Sequence, residues 1–158
     1  MTDRNLAAEV KTRTALDEDA PRLIEAYDWL FAAPGSKPED WDSRTAGERL
    51  AKVFASQRSD VLVAEVDQEL LGFCSIYLDI ESVRFGQRCW VEDLAVHPAH
   101  RSVGIGAVLL GQAQRWAREH GGIHLELDSA LARTDAHRFY DRHQPASRSM
   151  CFSWQLER

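Results

Sequence analysis

The stretch that most constrains the fold runs from residue 88 to residue 128. RCWVEDLAV (88–96) reads as a strand, HRSVGIG (100–106) as a tight connection, the run to His120 as a helix, and IHLELD (123–128) alternates as a second strand. Ile105, Val108, Leu109, Gln112 and Trp116 fall on one helical face, and Gly121 and Gly122 stop the helix. Parallel strands need a crossover of a dozen or more residues, usually a helix. The stretch therefore predicts a parallel pair with its helix packed on the sheet.

The rest of the chain supplies the other elements. AEVKTRTAL (8–16) reads as a first strand. A helix follows, capped by Asp17, with Pro21 in its first turn and Leu23, Tyr27, Leu30 and Phe31 on one face. After the Pro/Gly loop AAPGSKPED (32–40), a second helix covers Trp41 to Gln57, with Leu50, Val53 and Phe54 inward. VLVAEV (61–66) and LLGFCSIYLDI (70–80) form a hairpin around Asp67, Gln68 and Glu69. Thr134 caps a short helix through Tyr140, and SMCFSWQL (149–156) alternates as a last strand. The predicted order is β-α-α-β-β-β-α-β-α-β. This is an α/β chain with a mixed sheet, and 158 residues suit one domain spanning 1–158.

Composition excludes several function classes. There is no apolar run long enough to span a membrane, and MTDRNLAAEVKTRT lacks the apolar segment of a secretion signal, so a cytoplasmic protein is expected. No basic stripe marks a nucleic-acid binder. Three widely spaced cysteines, Cys74, Cys89 and Cys151, fit neither a disulfide framework nor a zinc site, and they read as small buried hydrophobes. Six histidines are scattered without ligand spacing, so no metal is expected. The net charge of −6 comes from residues 1–80; every basic residue in 81–158 is arginine. An acidic half suits a cationic partner, and arginines suit phosphates.

The R-x-x-G-x-G spacing at Arg101, Gly104 and Gly106 carries the first chemistry. A helix start leaves main-chain N–H groups unpaired and carries partial positive charge. Glycines remove the Cβ atoms that would hold an anion away, so the stretch reads as a pyrophosphate cradle. Two other anion motifs compete. A dinucleotide fingerprint would need a third glycine, although Glu126 lies where a ribose-binding acid would fall. A P-loop would need a lysine that is absent.

VEDLAVHPAHRSVGIGAVLLGQAQRWA (91–117), followed by ARTDAHRFYDRH (132–143), resembles the GNAT family of N-acetyltransferases. The family's signature is a strand, a Pro-containing turn, R/Q-x-x-G-x-G/A and a helix, with a later A-x-x-F-Y helix. The element order over nearly the whole chain matches as well. The resemblance implies that acetyl-CoA is the co-substrate. Leu94 and Val96 would offer backbone groups to its pantetheine arm, and Arg101, Ser102, Val103, Gly104, Ile105 and Gly106 would wrap its pyrophosphate. Three departures stand out: Ser102 where glycine is common, Arg133 where asparagine is common, and His143-Gln144-Pro145-Ala146 in place of Gly-Phe. A homodimer is the family-level expectation.

Acetyl transfer to an amine requires removing a proton from the ammonium, donors for the oxyanion, and a proton for the leaving thiolate. Strict alternation puts Trp90, Glu92, Leu94 and Val96 on one face of the 88–96 strand and Val91, Asp93 and Ala95 on the other. Glu92 is the candidate base, and the V/L-E-D stretch resembles polyamine acetyltransferases of the family. Asp93 is the more structural acid, and a β-bulge here would exchange the two roles. Tyr140 matches the family's general acid. The oxyanion donor is a main-chain N–H near Leu94. Glu126, Asp128, Trp29 and Glu81 are candidate contacts for a cationic acceptor. The expected acceptor is a small primary amine such as a polyamine, amino sugar or amino acid derivative. A protein or peptide amine, and a CoA-binding sensor without turnover, are the alternatives.

Overall fold

The computed structural model describes residues 6–156. They fall into two compact units, one through Leu127 and one from Asp128. In the first unit a short helix α1 (Leu6–Glu9) and strand β1 (Lys11–Thr14) replace the single strand expected over 8–16. Next come α2 (Ala20–Phe31), α3 (Ser43–Ala55), β2 (Ser59–Val66), β3 (Glu69–Ser82), β4 (Gly86–Val96), α4 (Ile105–Glu119) and β5 (His124–Glu126). The sheet order is β1-β2-β3-β4-β5. The first four strands are antiparallel, and β4 pairs with β5 in parallel, as the 88–128 stretch predicts.

Helices cover the sheet on both faces. On one, α4 buries Ile105, Leu109, Ala113 and Trp116 against Leu62, Cys74, Ile76, Cys89 and Val91. Its inward stripe is turned from the expected one: Leu110 and Ala117 are buried, while Val108 and Gln112 are only half-buried. The large apolar side chains in this layer each contribute about 1.5–3 kcal/mol. Gly72 permits the close approach, since a Cβ there would lie 2.9 Å from both Leu109 Cδ1 and the Ala95 carbonyl oxygen. On the other face, α2 and α3 place Leu23, Ala26 and Leu50 against Val61, Val63, Phe73 and Ala95.

Local details depart from the sequence expectation where tertiary partners intervene. Asp17 does not cap α2; residues 17–19 form a 3₁₀ turn and Asp19 takes the N-cap position with Pro21 in the first turn. The Asp19 carboxylate is buried, accepts the Leu16 N–H at 2.7 Å, and receives the guanidinium groups of Arg13 and Arg22. Those two arginines also reach Glu65. In α3, Asp42 caps the first turn by accepting the Thr45 N–H at 2.8 Å, worth about 1 kcal/mol.

In the second unit, α5 spans Thr134–Arg142. Its N-cap is Arg133 rather than Thr134. Arg138 pairs with Asp135, and Arg148 with Asp141. The alternating segment 149–156 has no regular secondary structure, so the expected last strand is corrected: Phe152 and Trp154 are 70% and 79% exposed. A strand needs a hydrogen-bonding neighbour as well as an alternating pattern. Among the described residues no helix is long and apolar enough to cross a membrane.

Candidate active site

The register between β3 and β4 contains an irregularity at the paired acids. Ser75 lies opposite Asp93 and Ile76 opposite Val91, so Glu92 is the extra residue of a β-bulge. The bulge overturns the strict alternation expected for β4 but does not exchange the two acids: Asp93 is the one held by hydroxyl partners, and Glu92 stays exposed. Val91, Leu94 and Val96 all pack toward the α4 layer, whereas Ala95 belongs to the layer under α2 and α3. Asp93 faces α2, where the Tyr27 hydroxyl donates to its Oδ2 at 2.8 Å. Ser75 completes the motif. Its Oγ accepts the Asp93 N–H at 3.0 Å and donates to Asp93 Oδ2 at 2.9 Å. A bulge interrupts the strand ladder, and here the Ser75 hydroxyl satisfies the main-chain donor next to it.

Glu92 is exposed and borders a cavity of about 250 Å³ together with Asp93, Ser75, Tyr27, Leu50 and Val53. Tyr27 is held well above the usual phenol range, first by burial and then by the negative charge of Asp93. It is therefore a neutral hydrogen-bond donor at any physiological pH. Cys74, on the opposite face, is pushed up to about 12 by burial and by Asp93, so it is no nucleophile. Cys89 is buried too, but Cys151 is exposed, contrary to expectation, and its thiol is raised by a hydrogen bond with Asp128.

β5 pairs with β4 only from Arg88 to Trp90. Beyond Trp90, the edge of β4 away from β3 has no strand partner in the sheet among the described residues. Leu94 and Val96, the expected pantetheine contacts, lie on this stretch. It leads through the short turn Pro98–His100 to Arg101 and the start of α4. There Ser102 and Gly104 both adopt positive φ, 63° and 97°, and curl the backbone around Val103. The first bond closing α4 runs from the Val108 N–H to the Gly104 carbonyl. The N–H groups of Ile105, Gly106 and Ala107 thus have no partner within the helix. Curled loops that lead into a helix mouth are a recurrent anion-binding arrangement; here a Cβ on Gly104 would lie 3.1 Å from the Ala7 side chain. Arg101 points elsewhere: its Nε donates to the Val96 carbonyl at 3.2 Å and its Nη2 to the Trp29 carbonyl at 3.0 Å. Its guanidinium ties the loop to the C-terminal turn of α2.

The remaining candidates are dispersed. The Trp29 ring meets His97 edge-on at 4.9 Å. Glu126 is engaged by Arg88 and, at 3.0 Å, by His124 Nε2. Glu81 is exposed near the far end of β3. Asp128 lies beyond β5 in the second unit rather than on the strand. Tyr140 lies on α5 in that unit, where its ring meets Phe139 at 5.2 Å. No cluster of metal-ligating side chains exists among the described residues. Sequence reasoning missed Ser75. The available signal was a hydroxyl residue inside the apolar run LLGFCSIYL, which needs a buried partner.

Comparison with known proteins agrees with this geometry. The profile of the acetyltransferase (GNAT) family matches residues 22–144. Streptothricin acetyltransferase of Streptomyces lavendulae is 32% identical over 108 residues, covering 68% of this chain and 47% of that protein. The chain spans about half the length of the curated relatives it matches. Among solved structures, a transcriptional regulator from Bacillus halodurans C-125 superimposes with a TM-score of 0.81 at 21% identity, over 93% of this chain and 99% of that one. The aminoglycoside N-acetyltransferase AAC(6')-Iy in complex with CoA gives 0.79 at 13% identity, over 93% and 94%. The strand, cradle and helix on which the sequence resemblance rested lie within the matched span, and the chain belongs to the acetyltransferase (GNAT) family.

Proposed function

We infer that the chain moves an acetyl group from acetyl-CoA directly to the primary amine of a small molecule. One observation carries this reading: Glu92, at the bulge, lies on the cavity wall and on the same strand whose edge, without a strand neighbour beyond Trp90 among the described residues, runs toward the start of α4. Streptothricin and aminoglycoside acetyltransferases, to which the chain is similar, are named for small amine-bearing acceptors. In this reading the edge of β4 at Leu94 and Val96 takes the pantetheine arm. The main-chain donors from Ser102 to Gly106 take the pyrophosphate. Arg101 keeps the cradle shaped.

Glu92, directly or through a water, removes the proton that keeps the amine from attacking. A main-chain N–H near Leu94 serves the developing oxyanion. Tyr140 is assigned as the acid for the departing thiolate on the family resemblance, since a tyrosine hydroxyl can donate at neutral pH. The family match runs from 22 to 144 and so crosses from one unit to the other, which supports reading 1–158 as one acetyltransferase domain.

Free thiol release from acetyl-CoA across a panel of amines tests the reading. Turnover with at least one small amine is expected, together with a rise in melting temperature on adding CoA alone. Binding of CoA without turnover of any amine would favour a sensor. Replacing Tyr140 by Phe should lower kcat much more than it changes the affinity for acetyl-CoA, and unchanged turnover would remove Tyr140 from the mechanism.

A further inference from the structure

We propose that the acceptor is a monoamine with a compact apolar body, of the size and chemistry of a phenylalkylamine, rather than a polycation. The proposal rests on the acetyltransferase reading and concerns the same cavity. Carboxylates border that cavity only at Glu92 and Asp93, and Asp93 is already bonded by two hydroxyls. The other walls are the apolar Leu50, Val53, Val61 and Ile76 and the hydroxyl-bearing Tyr27, Ser59, Ser75 and Tyr77.

A second hollow of about 120 Å³ shares Tyr27, Leu50 and Val53 with the first. Away from Glu92 it is bordered by Ile24, the Trp41 ring and the cationic Arg49. Trp41 packs at 5.3 Å from Tyr27 and 4.6 Å from Phe31, so an aromatic wall is already built there. A substrate with its ammonium at Glu92 meets Leu50 and Val53, which also wall the second hollow. A second ammonium that reached the second hollow would meet the like charge of Arg49 and no carboxylate among the residues bordering it. An apolar body would lose water-exposed surface instead.

Size points the same way. About 250 Å³ is below the roughly 300–1,000 Å³ of drug-sized ligand sites.

The experiment compares kcat/KM for 2-phenylethylamine, n-propylamine, putrescine and kanamycin in the thiol-release assay. Burying a ring is expected to make 2-phenylethylamine about 10- to 100-fold better than n-propylamine, and at least tenfold better than putrescine or kanamycin. Val53→Glu, which puts a carboxylate on the half-buried wall, should lower that preference over putrescine at least tenfold. Trp41→Ala should do so in part, and serves if the first variant melts early. A preference below tenfold in the unaltered protein, or one that both folded variants leave intact, overturns the proposal while leaving the acetyltransferase reading in place. Absence of turnover with every amine, including a broad panel, overturns that reading and this proposal with it.

Discussion

Two carboxylates close to α2 show how differently one helix can use the same chemical group. Asp19, at its N-terminus, is 2% exposed and is gripped by two guanidinium groups and a main-chain N–H. Asp93, opposite the middle of the helix, is held by the hydroxyls of Tyr27 and Ser75. Guanidinium partners neutralise charge and lock geometry. Hydroxyl partners fix geometry but bring no charge of their own. The first arrangement serves the fold, and in the proposed mechanism the second serves a neighbour, Glu92, which borders the cavity of about 250 Å³. A buried charge is evidence for function only when its partners leave its field available to a ligand.

The largest effect that would break this contrast is at Glu92. Replacing Glu92 by Gln removes the proposed base at an exposed position. The expected result is a loss of about 10²- to 10⁴-fold in kcat/KM with a nearly unchanged melting temperature. Full activity in a Glu92→Gln protein would move the base elsewhere and remove the reason for distinguishing the two regions.

Asp19→Asn should do the reverse. It leaves two arginines and Glu65 without their central anion and should cost about 2–4 kcal/mol of stability by denaturant unfolding. kcat per folded molecule should stay within about twofold. The effect carries a pH signature. Hydrogen bonds from Arg13 hold both Asp19 and Glu65 below the ordinary carboxylate range, aided by the Leu16 N–H at Asp19 and by Arg22 at both. A carboxylate depressed in the folded state stabilises fully above its unfolded value of about 4, and loses that contribution as pH falls toward the folded value. Stability of the unaltered protein should therefore drop more steeply below about pH 4 than that of Asp19→Asn. Parallel curves would show that this cluster contributes no such term.

What the sequence revealed followed from local rules, and what it hid followed from partners distant in the chain. The parallel pair and α4 were legible because glycines, a 3.6-residue period and an alternating strand all sit within one continuous stretch. The turn into α4 was legible for the same reason: Gly104 is where the chain takes φ of 97°. The faces of β4 were not legible. Next to the bulge at Glu92, the Asp93 N–H is bonded by a hydroxyl from β3, 18 residues before Asp93. Asp17 and Asp19 are equivalent caps by pattern, and two arginines and Glu65 made the choice. Glu126 read as a contact for a cationic acceptor because Arg88, which engages it, lies on another strand. The segment 149–156 alternates faultlessly, yet alternation states only that one face is apolar, not that an edge is there to receive it.

The smallest effect sharpens the contrast most, because it asks whether the bulge is built or merely tolerated. Ser75→Ala deletes the acceptor of the Asp93 N–H and one donor to its carboxylate, while the strands and the Glu92 side chain remain. An unsatisfied buried N–H costs about 1–3 kcal/mol, and the strand can relieve it by relaxing toward a regular ladder, which would swing Glu92 away from the cavity. A fall of roughly tenfold in kcat is expected, equivalent to about 1.4 kcal/mol in the barrier. KM for acetyl-CoA should stay within about twofold, because the α4 cradle is untouched. Ser75→Thr keeps the hydroxyl and should recover most of the rate if its extra methyl is accommodated, as its melting temperature will show. Equal losses in both folded variants would mean that the site tolerates no change of volume there. A loss confined to Ser75→Ala would assign the rate to one hydroxyl that holds a bulge open.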